Sequence, residues 1–196
     1  MEDLSLHILD IAENSVNAGA SFIAIRIAEN SLQDLLTVTI EDNGRGMTDD
    51  FVRNVLDPFC TTRTTRKVGL GLALLAQSAR ETGGDIRIQS APEKGTVVSA
   101  DFRPSHIDMK PLGNLAETIT TLIAGNPQAD ILFRYIRDGR ECHVDTRELR
   151  AILEDVPINS AEVLLAIRSD LLEALRGMTT QRTERELPKG KEIVPL

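Results

Sequence analysis

The first nineteen residues show the clearest periodicity in the chain, and within them the run LDIAENSVNAGA extends from Leu9 to Ala20. Side chains repeat there at spacings of three and four, which predicts a helix, because such residues share one side of a helix that advances about 100° per residue. Two adjacent faces follow: an apolar one with Leu4, Ile8 and Ile11, and a polar one with Asp10, Asn14 and Asn17. The helix is therefore predicted to present a carboxylate and two amides to whatever lies beside it.

The following residues switch between strand-like and helical patterns. Short alternating apolar stretches predict strands at residues 21–28, 35–41, 85–89 and 95–102. A short helix is predicted at 48–56, with Thr48 as its cap, and a longer one at 69–82, which Gly83-Gly84 ends. Residues 57–67 lack periodicity and predict a loop. We expect an α+β protein, a two-layer α/β sandwich with helices packed on a mixed sheet.

The sequence turns polar between Pro104 and Pro111, which indicates a boundary. Beyond it, a helix is predicted at 112–123, and two short strands flank Asp138-Gly139, a signal for a tight hairpin. Capping-box spacings precede two further helices, at Asp145 with Glu148 and at Asn159 with Glu162. The predicted organisation is a main domain at 1–104, a small α+β appendage for partner binding at 105–177, and a loose charged tail at 178–196.

Composition narrows the classes of function. The 196 residues carry a net charge of −8 and include no Trp and one Tyr, so a basic surface and an aromatic set for nucleic acid are both missing. Cys60 and Cys142 lack CxxC spacing and indicate neither a disulfide framework nor a zinc site. No run of about 18 apolar residues and no signal region occur in the sequence. We expect a cytoplasmic protein that binds neither nucleic acid nor a membrane.

Four sequence blocks in a fixed order carry a resemblance to a known family. The first helix is followed by EDNGRGM at 41–47, DPFCTTRTTRKVGLGLALL at 57–75 and PEKGTVVSADF at 92–102. In this order they resemble the GHKL ATP-binding family, which includes gyrase, the Hsp-type chaperones, sensor histidine kinases and MutL. The first block is similar to that of MutL, whereas the third and fourth are similar to those of sensor kinases. The resemblance implies the Bergerat-type ATP-binding fold, with ATP and Mg²⁺ as ligands.

The resemblance also implies which residues bind the base. Asp42 would accept a hydrogen bond from the adenine amino group, and Gly44, Gly46 and Met47 complete the glycine block behind it. The alternative for Asp42 is an aspartate that only stabilises the turn at Asn43-Gly44. Thr96 matches a hydroxyl that reaches the aspartate and the base through water.

A second set of residues would bind the metal and the phosphates. Asn14 matches the asparagine whose side-chain oxygen holds Mg²⁺, and Asn17 would contact phosphate or ribose or else only lie near the helix end. The start of the predicted 69–82 helix can offer backbone N–H groups to phosphate. The predicted loop at 57–67 is interpreted as a mobile lid over the nucleotide. The remaining predicted ligands lie in this lid and at the start of the helix: Thr61, Thr62, Lys67, Gly69, Leu70, Gly71 and Leu72, with Arg63 and Arg66 nearby.

Asp10 decides between catalytic and non-catalytic functions. In chaperones, MutL and anti-sigma-factor kinases this place, four residues before the metal-binding asparagine, holds Glu, which can deprotonate a water or a serine hydroxyl. In sensor histidine kinases it is usually Asn. Asp is one methylene shorter than Glu, so two interpretations stay open: a general base, or an acid that supports the metal shell through water.

Three functions fit these residues. Because the ATP-binding blocks begin at the first residue and no phosphoacceptor hairpin precedes them, we expect that the chain is not a self-contained histidine kinase. His7, His106 and His143 are expected to be structural or exposed. The favoured function is transfer of the γ-phosphoryl group of ATP to a protein partner. The alternatives are an ATPase switch, in which nucleotide drives homodimer formation, and a nucleotide sensor without turnover.

The partner is not identified by the sequence. The whole layout is similar to small orphan ATP-binding proteins associated with hydrogenase or NADH-dehydrogenase-like subunits, which implies a redox-enzyme-related partner. The segment DGRECHVDTREL at 138–149 belongs to this layout.

Overall fold

The computed structural model describes residues 3–56 and 70–179. Helices and strands follow one another in the order α1 (Leu4–Asn17), β1 (Phe22–Asn30), β2 (Leu35–Asp42), α2 (Asp49–Asn54), α3 (Leu70–Glu81), β3 (Ile86–Ser90), β4 (Thr96–Phe102), α4 (Leu115–Gly125), β5 (Asp130–Arg137), β6 (Arg140–Asp145), α5 (Thr146–Leu153) and α6 (Ala161–Thr179). Every helix and strand predicted from the sequence is present, with ends that differ by a few residues.

The strands form one sheet with the order β3-β4-β2-β1-β5-β6. Neighbouring strands run antiparallel except β1 and β5, which are parallel. The central strand β1 turns Ile23, Ile25 and Ile27 toward one face, where all three are buried. Helices α1 and α3 lie against this face, whereas Arg26 on the opposite face is exposed. This arrangement confirms the predicted two-layer α/β sandwich.

Several helices in the described part of the chain are capped at their N-terminus by a side-chain oxygen. Asp3 accepts from the Leu6 N–H at the start of α1, and Thr48 accepts from the Phe51 N–H at the start of α2, as predicted. Asp145 caps α5 by accepting from the Arg147 N–H. Helix α6 begins at Ala161, two residues after the predicted cap at Asn159. None of the helices in residues 3–56 and 70–179 is both long and apolar enough to cross a lipid bilayer.

Residues 105–177, predicted from sequence as a separate appendage, continue the sheet and core of the first 104 residues. Strand β5 pairs with β1 along its length, from Phe22 with Asp130 to Glu29 with Arg137. Phe133 on β5 is fully buried in the same cluster as Ile25. Helix α4 packs on α1, and α6 packs on α4. The division after residue 104 therefore separates two parts of the sequence that share one core, and α6 extends through residue 179.

Two serine–aspartate pairs join the loops at the end of β1. Ser31 donates its N–H and its hydroxyl to the two carboxylate oxygens of Asp138, at 2.8 and 2.7 Å. Ser105 donates in the same way to Asp34, at 2.9 and 2.6 Å. These hydrogen bonds from Ser105 lower the pKa of the Asp34 carboxyl. Two loops of residues 105–177 are thus fastened to the β1–β2 turn.

A shared core predicts a single cooperative unfolding transition. Phe133→Ala removes a fully buried side chain from β5 and is expected to lower the free energy of unfolding by about 3–5 kcal/mol. Because β1 and β5 share hydrogen bonds, the whole transition should shift to lower urea concentration when followed by circular dichroism.

The matched control is Leu132→Ala, the preceding residue, whose half-buried side chain lies on the other face of β5. We expect Leu132→Ala to lower the free energy of unfolding by less than half as much as Phe133→Ala. Two separable transitions, with only one of them moved by Phe133→Ala, would contradict a single core and support an independent appendage.

Candidate functional site

A cavity of about 550 Å³ lies between α1, helix α2, strand β4 and the glycine segment, residues 43–47, which follows β2. This volume is within the usual range for cofactor and small-ligand pockets, about 300–1,000 Å³. Apolar side chains form much of its wall: Ile11, Ile40, Phe51, Val55, Leu72 and Val98. A flat, partly apolar ligand fits such a wall, provided that a few polar groups fix its orientation.

Asp42 supplies a buried carboxylate at this cavity. It is the last residue of β2, and 9% of its surface is exposed. Its Oδ2 accepts the hydroxyl of Ser15 at 2.7 Å, and its Oδ1 accepts the N–H of Gly44 at 2.8 Å. A buried carboxylate is costly unless it is hydrogen-bonded, and these two donors hold it in one orientation. The turn interaction, one of the two alternatives for Asp42, is present, and the residue also lines the cavity. The hydrogen bond to adenine stays a prediction.

Ser15 was not singled out by the sequence analysis. It follows Asn14 directly, and its helical position, four residues after Ile11, places it on the apolar side of α1, where it is buried. A serine within an apolar helix face is the signal that could have identified it, because a buried hydroxyl needs a partner.

The glycine segment brings backbone close to neighbouring strands. Gly46 lines the cavity with a φ of +65°, and a Cβ there would overlap the carbonyl oxygen of Ala91. Gly44 lies outside the cavity wall and contributes its N–H to Asp42. A Cβ on Gly44 would lie 3.0 Å from Oδ1 of that same carboxylate. Met47 and Arg45 complete this side of the cavity, and Arg45 was not predicted.

Thr96 lines the cavity at the start of β4, directly opposite Asp42 in the sheet register. Its Oγ1 lies 2.9 Å from the Oγ of Ser90, the last residue of β3. Ser90 also accepts the Met47 N–H at 2.9 Å. No local sequence signal identifies Ser90, because its position next to Thr96 follows from the pairing of β3 with β4.

The polar face predicted for α1 divides between the cavity and solvent. Asn14 and Asn17 both line the cavity. The amide nitrogen of Asn17 donates to the Glu13 carbonyl at 2.6 Å, so its side-chain oxygen is the atom left for a ligand. Asp10 is exposed and is not part of the cavity wall. It lies instead beside the start of α3, where a Cβ on Gly71 would be 3.1 Å from the Asp10 Cβ.

The phosphate-binding predictions fall at the edge of the described residues. Leu72 lines the cavity, and Leu70 is the first residue of α3. Several predicted ligands lie outside the described residues: Thr61, Thr62, Lys67 and Gly69, with Arg63 and Arg66.

The residues around the cavity fit a magnesium nucleotide. Mg²⁺ is commonly held by one or two protein oxygens together with phosphates and water, and Asn14, whose side chain carries such an oxygen, lines the cavity. Among residues 3–56 and 70–179 there is no cluster of three or more His, Cys, Asp or Glu side chains that could hold a metal alone. Phosphate oxygens and water would supply the other ligands of a metal bound there.

Comparison with known proteins places these features in a family. Residues 2–106 match the sequence model described as "Histidine kinase-, DNA gyrase B-, and HSP90-like ATPase". The nitrogen regulation protein NtrY of Azorhizobium caulinodans is 38% identical over 69 residues, 35% of this chain and 9% of that protein. The tetrathionate sensor histidine kinase TtrS of Salmonella typhimurium is 36% identical over 97 residues, 47% of this chain and 16% of that protein.

The matched segments thus span only a small part of these relatives. Among solved structures, the N-terminal domain of a DNA repair protein has a TM-score of 0.50 at 14% identity, and the match covers 74% of this chain and 52% of that one. This likeness shows a shared fold. The family match covers more than half of the chain, and the chain therefore belongs to the histidine kinase-, DNA gyrase B- and HSP90-like ATPase family.

Proposed function

We propose that the chain binds ATP with Mg²⁺ in the cavity beside α1 and transfers the γ-phosphoryl group to a protein partner. The observation that carries the proposal is the buried Asp42 carboxylate, which Ser15 and Gly44 hold at the wall of a nucleotide-sized cavity. A fixed carboxylate can accept a hydrogen bond from an exocyclic amine, and the apolar wall can cover the faces of the base. Family membership supports ATP as the nucleotide.

The remaining ligands are proposed around that base position. Thr96 and Met47 would bind on the base side, and Asn14 and Asn17 would face the phosphates and the metal. When bound, Mg²⁺ would neutralise phosphate charge. The backbone N–H groups at the start of α3 would favour phosphate, since the first turn of a helix leaves them unpaired.

Asp10 is proposed as the group that assists the acceptor. Its exposure leaves room for an incoming hydroxyl, and its nearness to Gly71 supports a role beside the helix end where phosphate would bind. A carboxylate within reach of a hydroxyl can take its proton during transfer. The partner is proposed only as a protein, because the names of the relatives give no support to a hydrogenase-related one.

Asp42→Asn tests the nucleotide site. The substitution keeps the shape of the side chain but replaces one acceptor oxygen with a donor. If the remaining oxygen accepts the Gly44 N–H, the amide nitrogen faces Ser15, whose hydroxyl must turn to accept. We expect ADP and ATP affinity to fall by about 10- to 100-fold in calorimetric titration, as is typical for a lost hydrogen bond to a charged group. Asp170→Asn, at an exposed position on α6, is the matched control and should bind like the wild type. Equal affinity of both variants would remove the support for an adenine site at Asp42.

Asp10→Asn tests the catalytic proposal. The protein would be incubated with ATP labelled on the γ-phosphate and a lysate of the source organism. Since a positioned base typically contributes about 10²- to 10⁴-fold, labelling of the partner should fall by at least tenfold while nucleotide affinity stays within about twofold. Glu13→Gln, on the exposed side of the same helix, should label the partner normally.

Two outcomes separate the proposal from its alternatives. Phosphate release by the purified protein at the same rate with and without lysate would indicate an ATPase, and light scattering would then show whether nucleotide changes the oligomeric state. Binding of ATP with neither labelling nor release under any condition would indicate a sensor.

A further inference from the structure

The hydrogen-bond arrangement behind Thr96 determines which way its hydroxyl can point. Ser90, Thr96 and Asp42 stand side by side on β3, β4 and β2, as the strand register requires. Thr96 and Asp42 face the cavity, whereas Ser90 lies behind Thr96 and outside the cavity wall. Ser90 can therefore influence a ligand only through its neighbour.

The Ser90 hydroxyl makes three contacts, and a serine hydroxyl has one hydrogen and two lone pairs. Its Oγ lies 2.8 Å from the carbonyl oxygen of Gly95, which can only accept, so Ser90 donates there. The Met47 N–H, which can only donate, occupies one lone pair at 2.9 Å. The remaining lone pair faces Thr96 Oγ1 at 2.9 Å. All three bonds form together only if Thr96 donates its hydrogen to Ser90.

Thr96 is then left with lone pairs alone on the cavity side. Asp42, its cross-strand neighbour, is likewise an acceptor, and both of its present partners, Ser15 and Gly44, are donors. Asp42 and Thr96 thus offer a ligand acceptors and no donor. They match the two N–H bonds of an exocyclic amine, whereas a keto oxygen would face acceptors only.

We propose that Ser90 is a specificity-determining positioning residue, which fixes the Thr96 hydroxyl as an acceptor and so favours 6-amino purines over 6-oxo purines. The inference rests on the proposed nucleotide site. It predicts that discrimination between 6-amino and 6-oxo purines depends on Ser90, although Ser90 does not contact the nucleotide. Removal of Ser90 would let the Thr96 hydroxyl rotate and donate to a 6-oxo group.

The experiment compares ADP and IDP, which differ at the 6-position of the purine, by calorimetric titration of the full chain. The wild type should bind ADP at least tenfold more tightly than IDP, because the keto oxygen of IDP would face two acceptors and lack a hydrogen-bond donor. Ser90→Ala should reduce this ratio about tenfold, chiefly through tighter binding of IDP. Ser90→Thr, which keeps the hydroxyl, should restore the ratio.

Ser99→Ala is the matched control, because its hydroxyl lies 3.4 Å from Thr39 on the opposite face of the sheet, and it should bind like the wild type. If Ser90 had a purely structural role, such as holding Met47, Ser90→Ala would weaken the binding of ADP and of IDP by the same factor. The ratio of the two affinities would then stay unchanged, and that result would overturn the inference. Failure of the wild type to bind either nucleotide would instead overturn the proposed function itself.

Discussion

The burial of the Asp42 carboxylate is the constraint on which the rest of the site depends. A carboxylate at the end of a central strand must be hydrogen-bonded, and its two donors come from different elements: Ser15 from α1 and Gly44 from the turn after β2. Helix α1 is thereby fixed against the sheet at the same place where Asn14 and Asn17 face the cavity. One electrostatic requirement thus aligns the helix that carries the proposed metal ligand with the strand that carries the proposed base ligand.

The sequence was informative where function depends on local spacing. Helical periodicity put Asn14 and Asn17 on one face, and the structure brings both to the same cavity as Asp42, Gly46 and Thr96. Their roles remain predictions. Ser90 could not be found in this way, since its importance comes from cross-strand register. The position of Asp10 also differs from the one expected from helical periodicity. It shares a face with Asn14 but lies against Gly71, because α3 packs on this part of α1.

In the fold, too, features set by neighbouring residues were predictable from the sequence, whereas pairings between distant segments were not. Turn and cap signals identified the β5–β6 hairpin and its Asp138-Gly139 turn. The partner of β5 was not predictable from these signals, because a parallel pair needs a long connection and leaves no turn in the sequence. The polar stretch after residue 104 consequently suggested a boundary, although the strands on its two sides belong to one sheet.

The parallel pairing of β1 with β5 has a consequence for synthesis of the chain on the ribosome. The edge of β1 that faces β5, residues 22–29, stays without backbone partners until residues 130–137 have emerged. Until then, β1 is an edge strand of alternating isoleucines with unpaired backbone groups, the kind of edge to which another chain can add. The nascent N-terminal segment therefore depends on rapid arrival of the later one, or on a chaperone, to avoid association with its neighbours.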